Sequence, residues 1–229
     1  MNAHPLDRPV WSCLTGAQSH LAHGGSAAVR IDSAYGPFAA ARDVSEASQA
    51  ALAALVVTPD DAVAIVEPDS WPVPPGLRLE RSGELLQMVA ERPSLGVADD
   101  PRIVLLGECD APEMTALALA TEPGPWAPLT HRYGDFFGIR VDGRLAAMAG
   151  ERMRPGGYAE VSAVCTWPEF RGQGMAAALI RRVMRGFVAR GDTPFLHSYA
   201  HNAGAIRLYE VLGFRARRTM ALTVLVRER

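Results

Sequence analysis

The 229-residue sequence has no lysine; all 23 of its basic residues are arginine. That absence excludes a Walker-type phosphate loop, whose lysine reaches the phosphates, and Schiff-base chemistry, which needs a lysine amine. Cysteine is scarce too. Cys13, Cys109 and Cys165 are odd in number, far apart and form no CxxC pair, which argues against a disulfide framework or a thiolate zinc site and fits a reducing compartment. No apolar run approaches the ~18 residues of a membrane span. The start, Met1-Asn-Ala-His-Pro-Leu-Asp-Arg-Pro9, lacks the charged-then-apolar pattern of a secretion signal. A cytoplasmic protein with no membrane contact is therefore expected. Neither charge is in excess: the net charge is −2 and no basic patch stands out, which disfavours a nucleic-acid partner.

What is present is an ordinary globular composition, 48% hydrophobic and 21% charged, enough for one good core or two small ones. The first part reads weakly. Ser45 to Leu55 resembles a short Ala-rich helix, Ala62 to Val66 a buried strand, and Leu77 to Val89 one strand or two. No chemistry is legible there. Pro and Gly cluster in loops at 71–76 and 123–128.

From about residue 101 the signals sharpen. Ile103 to Leu106 is an apolar strand, and Asp110-Ala-Pro-Glu113 reads as an N-cap opening a helix near Ala111. Phe136 to Val141, Asp142-Gly143 and Arg144 to Met153 read as a hairpin with a tight turn. Tyr158 to Thr166 alternates, with Glu160, Ser162, Val164 and Thr166 on one face and Ala159, Val161, Ala163 and Cys165 on the apolar other. A helix follows with Leu179, Ile180, Val183, Met184, Phe187 and Val188 on one stripe and Arg181, Arg182 and Arg185 opposite, as solvated surface. Gly191 stops it, Phe195 to Ala200 is a strand, Asn202 caps a helix ended by Gly213, and Thr219 to Val226 is a last strand.

Between the alternating strand and the Arg-bearing helix lies Pro168-Glu-Phe-Arg-Gly-Gln-Gly-Met-Ala176. Glycines before a helix let a ligand approach the backbone, and the helix's unpaired N–H groups favour an anion. Gly172-Gln-Gly174-Met-Ala-Ala177 satisfies GxGxxA, yet a dinucleotide site opens its domain and needs several more βα units than can follow here. Its ribose-binding acid should also follow the next strand, whereas Asp192 precedes it.

In the other register, Arg171-Gly-Gln-Gly174-Met-Ala176 fits [Arg/Gln]-x-x-Gly-x-[Gly/Ala]. Together with Val164-Cys-Thr-Trp-Pro-Glu-Phe-Arg171, Pro194-Phe-Leu-His-Ser-Tyr-Ala-His-Asn202 and Ala205-Ile-Arg-Leu-Tyr-Glu-Val-Leu-Gly-Phe214, it resembles the GNAT superfamily of N-acetyltransferases, and within it the FR47-like branch. The resemblance covers about residues 101 to 226. It implies an α/β (α+β) fold: a mixed, mostly antiparallel central sheet, splayed between two parallel strands and flanked by helices. It divides the chain into an N-terminal region, 1–98, suspected of being a degenerate GNAT-like half, and an acetyltransferase domain, 99–229. It also implies acetyl-coenzyme A as co-substrate and a small amine or peptide as acceptor. A homodimer is left open. Pyrophosphate would sit on the backbone of Arg171, Gly172, Gln173, Gly174, Met175 and Ala176. The pantetheine arm would pair with Val164, Cys165 and Thr166 and touch Asn202, with Ala205 beside it.

Acyl transfer to an amine needs a neutral nucleophile, a polarised carbonyl and a proton for the leaving thiolate. Tyr209, which the resemblance places near the sulfur, is the candidate acid; the alternative is a core aromatic on a stripe with Ala205, Leu208 and Leu212. Glu160 is the candidate base, with burial expected to raise its pKa; the alternative is an exposed acid. His131, His197 and His201 are rival bases, and none pairs at metal-ligand spacing, so no metal is expected. Cys165 reads as packing. A second functional reading is a coenzyme A sensor or partner-binding domain without turnover.

Overall fold

The sheet that organises this protein runs through nearly the whole chain. In the computed structural model, which describes residues 4–228 apart from Pro59 and Asp99, the N-terminal part supplies α1 (Pro9–Leu14), β1 (Ala22–Gly24), β2 (Ala28–Ile31), β3 (Ala39–Ala41), α2 (Glu46–Ala54), β4 (Ala62–Glu67) and β5 (Leu77–Val89). There follow β6 (Ile103–Leu106), α3 (Ala111–Thr121), β7 (Phe136–Val141), β8 (Arg144–Glu151), β9 (Tyr158–Thr166), α4 (Met175–Ala189), β10 (Thr193–Tyr199), α5 (Ala203–Val211) and β11 (Arg215–Arg227). Strands β1 to β3 form a small antiparallel sheet, and the other eight form one sheet in the order β4-β11-β5-β10-β9-β8-β7-β6. Every neighbouring pair in the large sheet is antiparallel except β9 and β10. These two are joined through α4, the crossover that parallel strands require.

The drawn boundary between residues 98 and 99 falls in the connection from β5 to β6. The sheet itself passes across it: β5 lies between β10 and β11, and β4 extends the far edge beyond β11. Leu77 to Val89 is a single strand, paired with β11 along almost its full length.

Several elements form where local chemistry dictates. Asp142 and Gly143 both take positive φ, 48° and 81°, as a two-residue hairpin turn with matching twist demands. The α4 stripe of Leu179, Ile180, Val183, Met184 and Phe187 is buried against Phe137, Ile139, Ala147, Ala149, Ala159 and Val161 of the sheet, whereas Val188 falls outside it and is 42% exposed. The opposite face of the same strands, with Phe136, Leu145 and Met148, packs on Met114, Leu117 and Ala118 of α3.

Two expectations are corrected here. Asp110 does not cap α3 through its side chain; its carboxylate accepts from the Gly107 N–H at 2.9 Å and pairs with Arg140, so it closes the short turn before the helix. The arginines of α4 are not simply solvated. Arg181 Nε donates to the Ser94 carbonyl at 3.3 Å, Arg185 donates to the carbonyls of Leu95 and Gly96 at 2.5 and 3.2 Å, and the Arg182 guanidinium lies 4.0 Å from the Phe137 ring centroid. Arg181 and Arg185 strap the segment after β5 across the outside of the helix.

Candidate functional site

Strands β9 and β10 share only three rungs, Tyr158 with Thr193, Ala159 with Pro194 and Glu160 with Phe195. Past Glu160 the two strands part. β10 stays paired with β5 through Tyr199, while β9 turns with β8. A bulge produces that turn: Met148 faces Cys165 and Gly150 faces Ser162, so Ala163 and Val164 together oppose the one residue between, and Ala163 takes φ 49°. The bulge reverses the alternation expected for this strand. Ala159, Val161 and Val164 pack toward α4, but Ala163 and Cys165 lie on the opposite face under α3. Cys165 is thus buried on the far side of the sheet from Val161, and burial pushes its thiol up to about 12.

After Thr166 a single 3-10 turn over Pro168–Phe170 leads into the glycine turn. Gly172 and Gly174 both sit in the left-handed region, at φ 77° and 73°, which a side chain would strain. A Cβ built on either would meet no atom within 4 Å, so the space above both is open. Arg171 Nε donates to the Thr166 carbonyl at 3.3 Å and ties the turn to the end of β9. Helix α4 begins at Met175 without a side-chain cap, and its first internal bond is Ala178 N–H to the Gly174 carbonyl. The N–H groups of Met175, Ala176 and Ala177 therefore lack helical acceptors. Arg171, Gly172, Gln173 and Gly174 are all exposed. This is a cradle of donors, at the positive end of a 15-residue helix, with room above it for an anion.

Helix α5 stands on the same core. Asn202 caps it, accepting from the Ala205 N–H at 3.2 Å. Tyr209 packs against the α4 cluster alongside Val164, Phe170 and Ala177, edge-on to Phe214 with centroids 6.0 Å apart. Burial pushes its phenol up to about 12, so it is fully protonated at neutral pH.

Glu160 is not an exposed acid. It is completely buried at the last rung before the strands part. Arg152 Nε donates to its Oε2 at 2.8 Å and Arg152 Nη2 to its Oε1 at 2.7 Å, while His197 Nδ1 lies 2.8 Å from Oε1. Burial alone would raise its pKa, as expected from the sequence, but the charge and hydrogen bonds of Arg152, with His197, reverse the effect and hold the carboxyl at about 2. The expectation of a raised pKa is corrected. Both oxygens are taken, and the group stays ionised.

Sequence reasoning missed Arg152 and Gln87. Arg152 follows a strand buried from Leu145 onward, and the Arg154-Pro-Gly-Gly157 turn folds it back across from Glu160: its N–H donates to the Glu160 carbonyl at 3.1 Å. A buried carboxylate needs a cation, and this hairpin register supplies it. Of the rival bases, His201 is exposed and stacks on Tyr199. His131 is buried beside Glu108, 3.2 Å from Oε1, but neither ring nitrogen makes a hydrogen bond. Among the described residues no three His, Cys, Asp or Glu side chains gather as a metal would need, and no helix is long and apolar enough to cross a membrane.

A mostly antiparallel sheet opened between two parallel strands, with a donor cradle at the crossover helix, is the framework of the GNAT acetyltransferases. The sequence model of the FR47-like protein family matches residues 136–222. A GNAT-family protein of known crystal structure from Novosphingobium aromaticivorans is 59% identical, with a TM-score of 0.93 over 99% of this chain and 100% of its own. The chain belongs to the GNAT family. A GCN5-related N-acetyltransferase from Kribbella flavida shares the fold at 18% identity, with a TM-score of 0.66 over 99% of this chain and 97% of its own. So does a GCN5-related N-acetyltransferase-like protein from Streptococcus suis, at 15% identity and TM-score 0.60 over 96% of this chain and 92% of its own. No curated protein matches the chain.

Proposed function

We propose that the protein is an acetyl-coenzyme A dependent N-acetyltransferase whose acceptor is a small amine, an amino acid or a peptide N-terminus. The observation that carries this reading is the juxtaposition of the parted strands with the glycine turn. A pyrophosphate fits the cradle over Gly172 to Ala176, because the space is open, the donors are unpaired and no side chain intrudes. The backbone of β9 from Val164 to Thr166, unpaired toward β10, fits an amide-bearing pantetheine arm. Asn202 and Ala205, at the start of α5, would flank that arm.

Acetyl-coenzyme A supplies an acetyl group already activated as a thioester. The acceptor nitrogen attacks it directly, without an enzyme nucleophile. Cys165, the nearest thiol in sequence, faces the other side of the sheet and keeps its proton. Tyr209, half-buried, protonated and without a hydrogen bond to another described residue, donates its proton to the departing sulfur, and the proton that the acceptor nitrogen loses passes to water and returns to the phenol. Glu160 acts through Arg152 and His197: with its proton affinity lowered it is a fixed charge that organises the base of the cleft rather than the group that takes the amine's proton. The connection from α3 to β7, with half-buried Trp126, would face the acceptor, whereas its Tyr133 and the His131 ring are buried.

The test is thiol release from acetyl-coenzyme A and longer acyl thioesters against a panel of amino acids, polyamines and short peptides. Turnover with at least one amine is expected. Saturable binding of acetyl-coenzyme A with no thiol release across the panel would refute the enzymatic reading.

A further inference from the structure

Gln87, on β5, is fully buried, and its amide meets three groups at once. Nε2 donates to the Leu6 carbonyl at 2.9 Å and lies 3.1 Å from His197 Nε2, while Oε1 accepts from Arg217 at 2.8 Å. The neighbours fix which way the amide points. Reversed, its oxygen would face the Leu6 carbonyl and its NH2 would face a guanidinium. A primary amide nitrogen carries two hydrogens, so with one given to Leu6 the other is directed at His197. His197 Nε2 must accept it. The proton of the ring is then on Nδ1, donated to Glu160 Oε1 at 2.8 Å.

We infer that Gln87 is a positioning residue that holds His197 as the neutral Nδ1–H tautomer, so that Arg152, Glu160 and His197 together carry no net charge where β9 and β10 part. The groups around the ring divide clearly. Glu160 on β9 favours an imidazolium, and Gln87 on β5 opposes it, because a proton on Nε2 would set one N–H against another. Phe195, on the ring's own strand, stands edge-on with its centroid 5.6 Å away. Arg152 lies beyond Glu160, and Arg217 lies behind Gln87, where it is itself anchored to Asp7 at 2.6 Å. Each of these cations disfavours a further positive charge. Residues 6 and 7, through the Leu6 carbonyl and the Asp7 carboxylate, are therefore part of the device. Buried polar groups satisfied in this interlocking way are rigid, and changing one changes the state of the next.

The inference rests on the acyl-transfer reading only for where its effect is felt, and its first test needs no turnover. Nitrogen-15 NMR of histidine-labelled protein distinguishes the two tautomers and the imidazolium, with His197→Gln assigning the signal. In the wild type His197 should show the Nδ1–H tautomer at pH 7. Gln87→Glu keeps the shape but replaces the donor by an acceptor, so at pH 7 the His197 signal should change from that of the neutral Nδ1–H ring to that of an imidazolium. A wild-type signal showing Nε2–H or an imidazolium at pH 7 overturns the inference, whether or not the variant folds. So does a folded Gln87→Glu with an unchanged His197 signal. In turnover, Gln87→Glu should lower kcat at least tenfold and shift its pH profile, while the thermal shift with acetyl-coenzyme A stays as in the wild type. No thiol release by the wild type would count against the acyl-transfer reading alone, and the spectra would still decide the tautomer.

Discussion

Arg152 holds Glu160 by both carboxylate oxygens, at 2.7 and 2.8 Å, in a pair whose acid is completely shielded from water. Such a pair is worth little compared with a well-packed apolar replacement, but removing one partner strands the other as a buried charge, at a cost of roughly 3–5 kcal/mol. Glu160→Gln should therefore lower the unfolding free energy by about that amount, measured by urea denaturation at neutral pH. A loss below 1 kcal/mol would show that the guanidinium finds another partner.

The same pair sets a pH dependence. Glu160 has its folded pKa depressed from 4.5 to about 2, so its stabilising contribution is complete above 4.5 and fades as pH falls toward 2. Urea midpoints taken from pH 6 to pH 2.5 should fall in the wild type. In Glu160→Gln the fall across that window should be shallower, because the group that must take up a proton is gone.

The glycine cradle is tested by charge and strain separately. Gly174→Ala forces a side chain into the left-handed region and should cost ~1–2 kcal/mol of stability, but it meets no neighbour and should keep a thermal response to acetyl-coenzyme A. Gly174→Glu adds a negative charge to the open space and should abolish that response. An equal response in both variants would remove the turn from coenzyme binding.

Tyr209→Phe removes a hydroxyl that bonds to no other described residue, so stability should change by less than ~0.5 kcal/mol. If the phenol is the acid, kcat should drop by a factor on the order of 10² or more while KM moves little. Steady-state kinetics with any turned-over amine decides it, and a near-normal kcat takes Tyr209 out of the chemistry.

The thiols separate by environment. Cys13 and Cys165 are buried with pKa values pushed up to about 12, while Cys109 is exposed. A chromogenic disulfide reagent should react with one thiol per native chain and with three in denaturant. Ala163→Val, which puts a β-branched residue at φ 49°, should unsettle the bulge and make Cys165 reactive.

Local chemistry was legible and long-range pairing was not. The glycine turn, the Asn202 cap, the Asp142-Gly143 turn and, but for Val188, the buried stripe of α4 each depend on residues a few positions apart, and each lies where the sequence placed it. The bulge at Ala163 could not be read from its own strand, because it exists only in register with β8, and it moved Cys165 to the other face. Glu160 was read on the polar face of its strand, but its burial and ionisation depend on Arg152, His197 and, through them, Gln87, brought together by three separate strand pairings. The short strands β1 to β3 carry too few residues to show a period, and Ala39 to Ala41 has no strand-forming side chain at all.

The position of β5 has a consequence for how the chain is made. The strand at residues 77 to 89 finds both of its neighbours far later in the chain, at 193 to 199 and 215 to 227. Until then it is an open edge on both sides, apolar at Leu77, Leu85 and Met88, and the ribosome holds the partners it needs. The slowest event in folding should be the late insertion of this strand between two that close on it from either side. The nascent chain is most exposed to misassembly just before those two strands emerge.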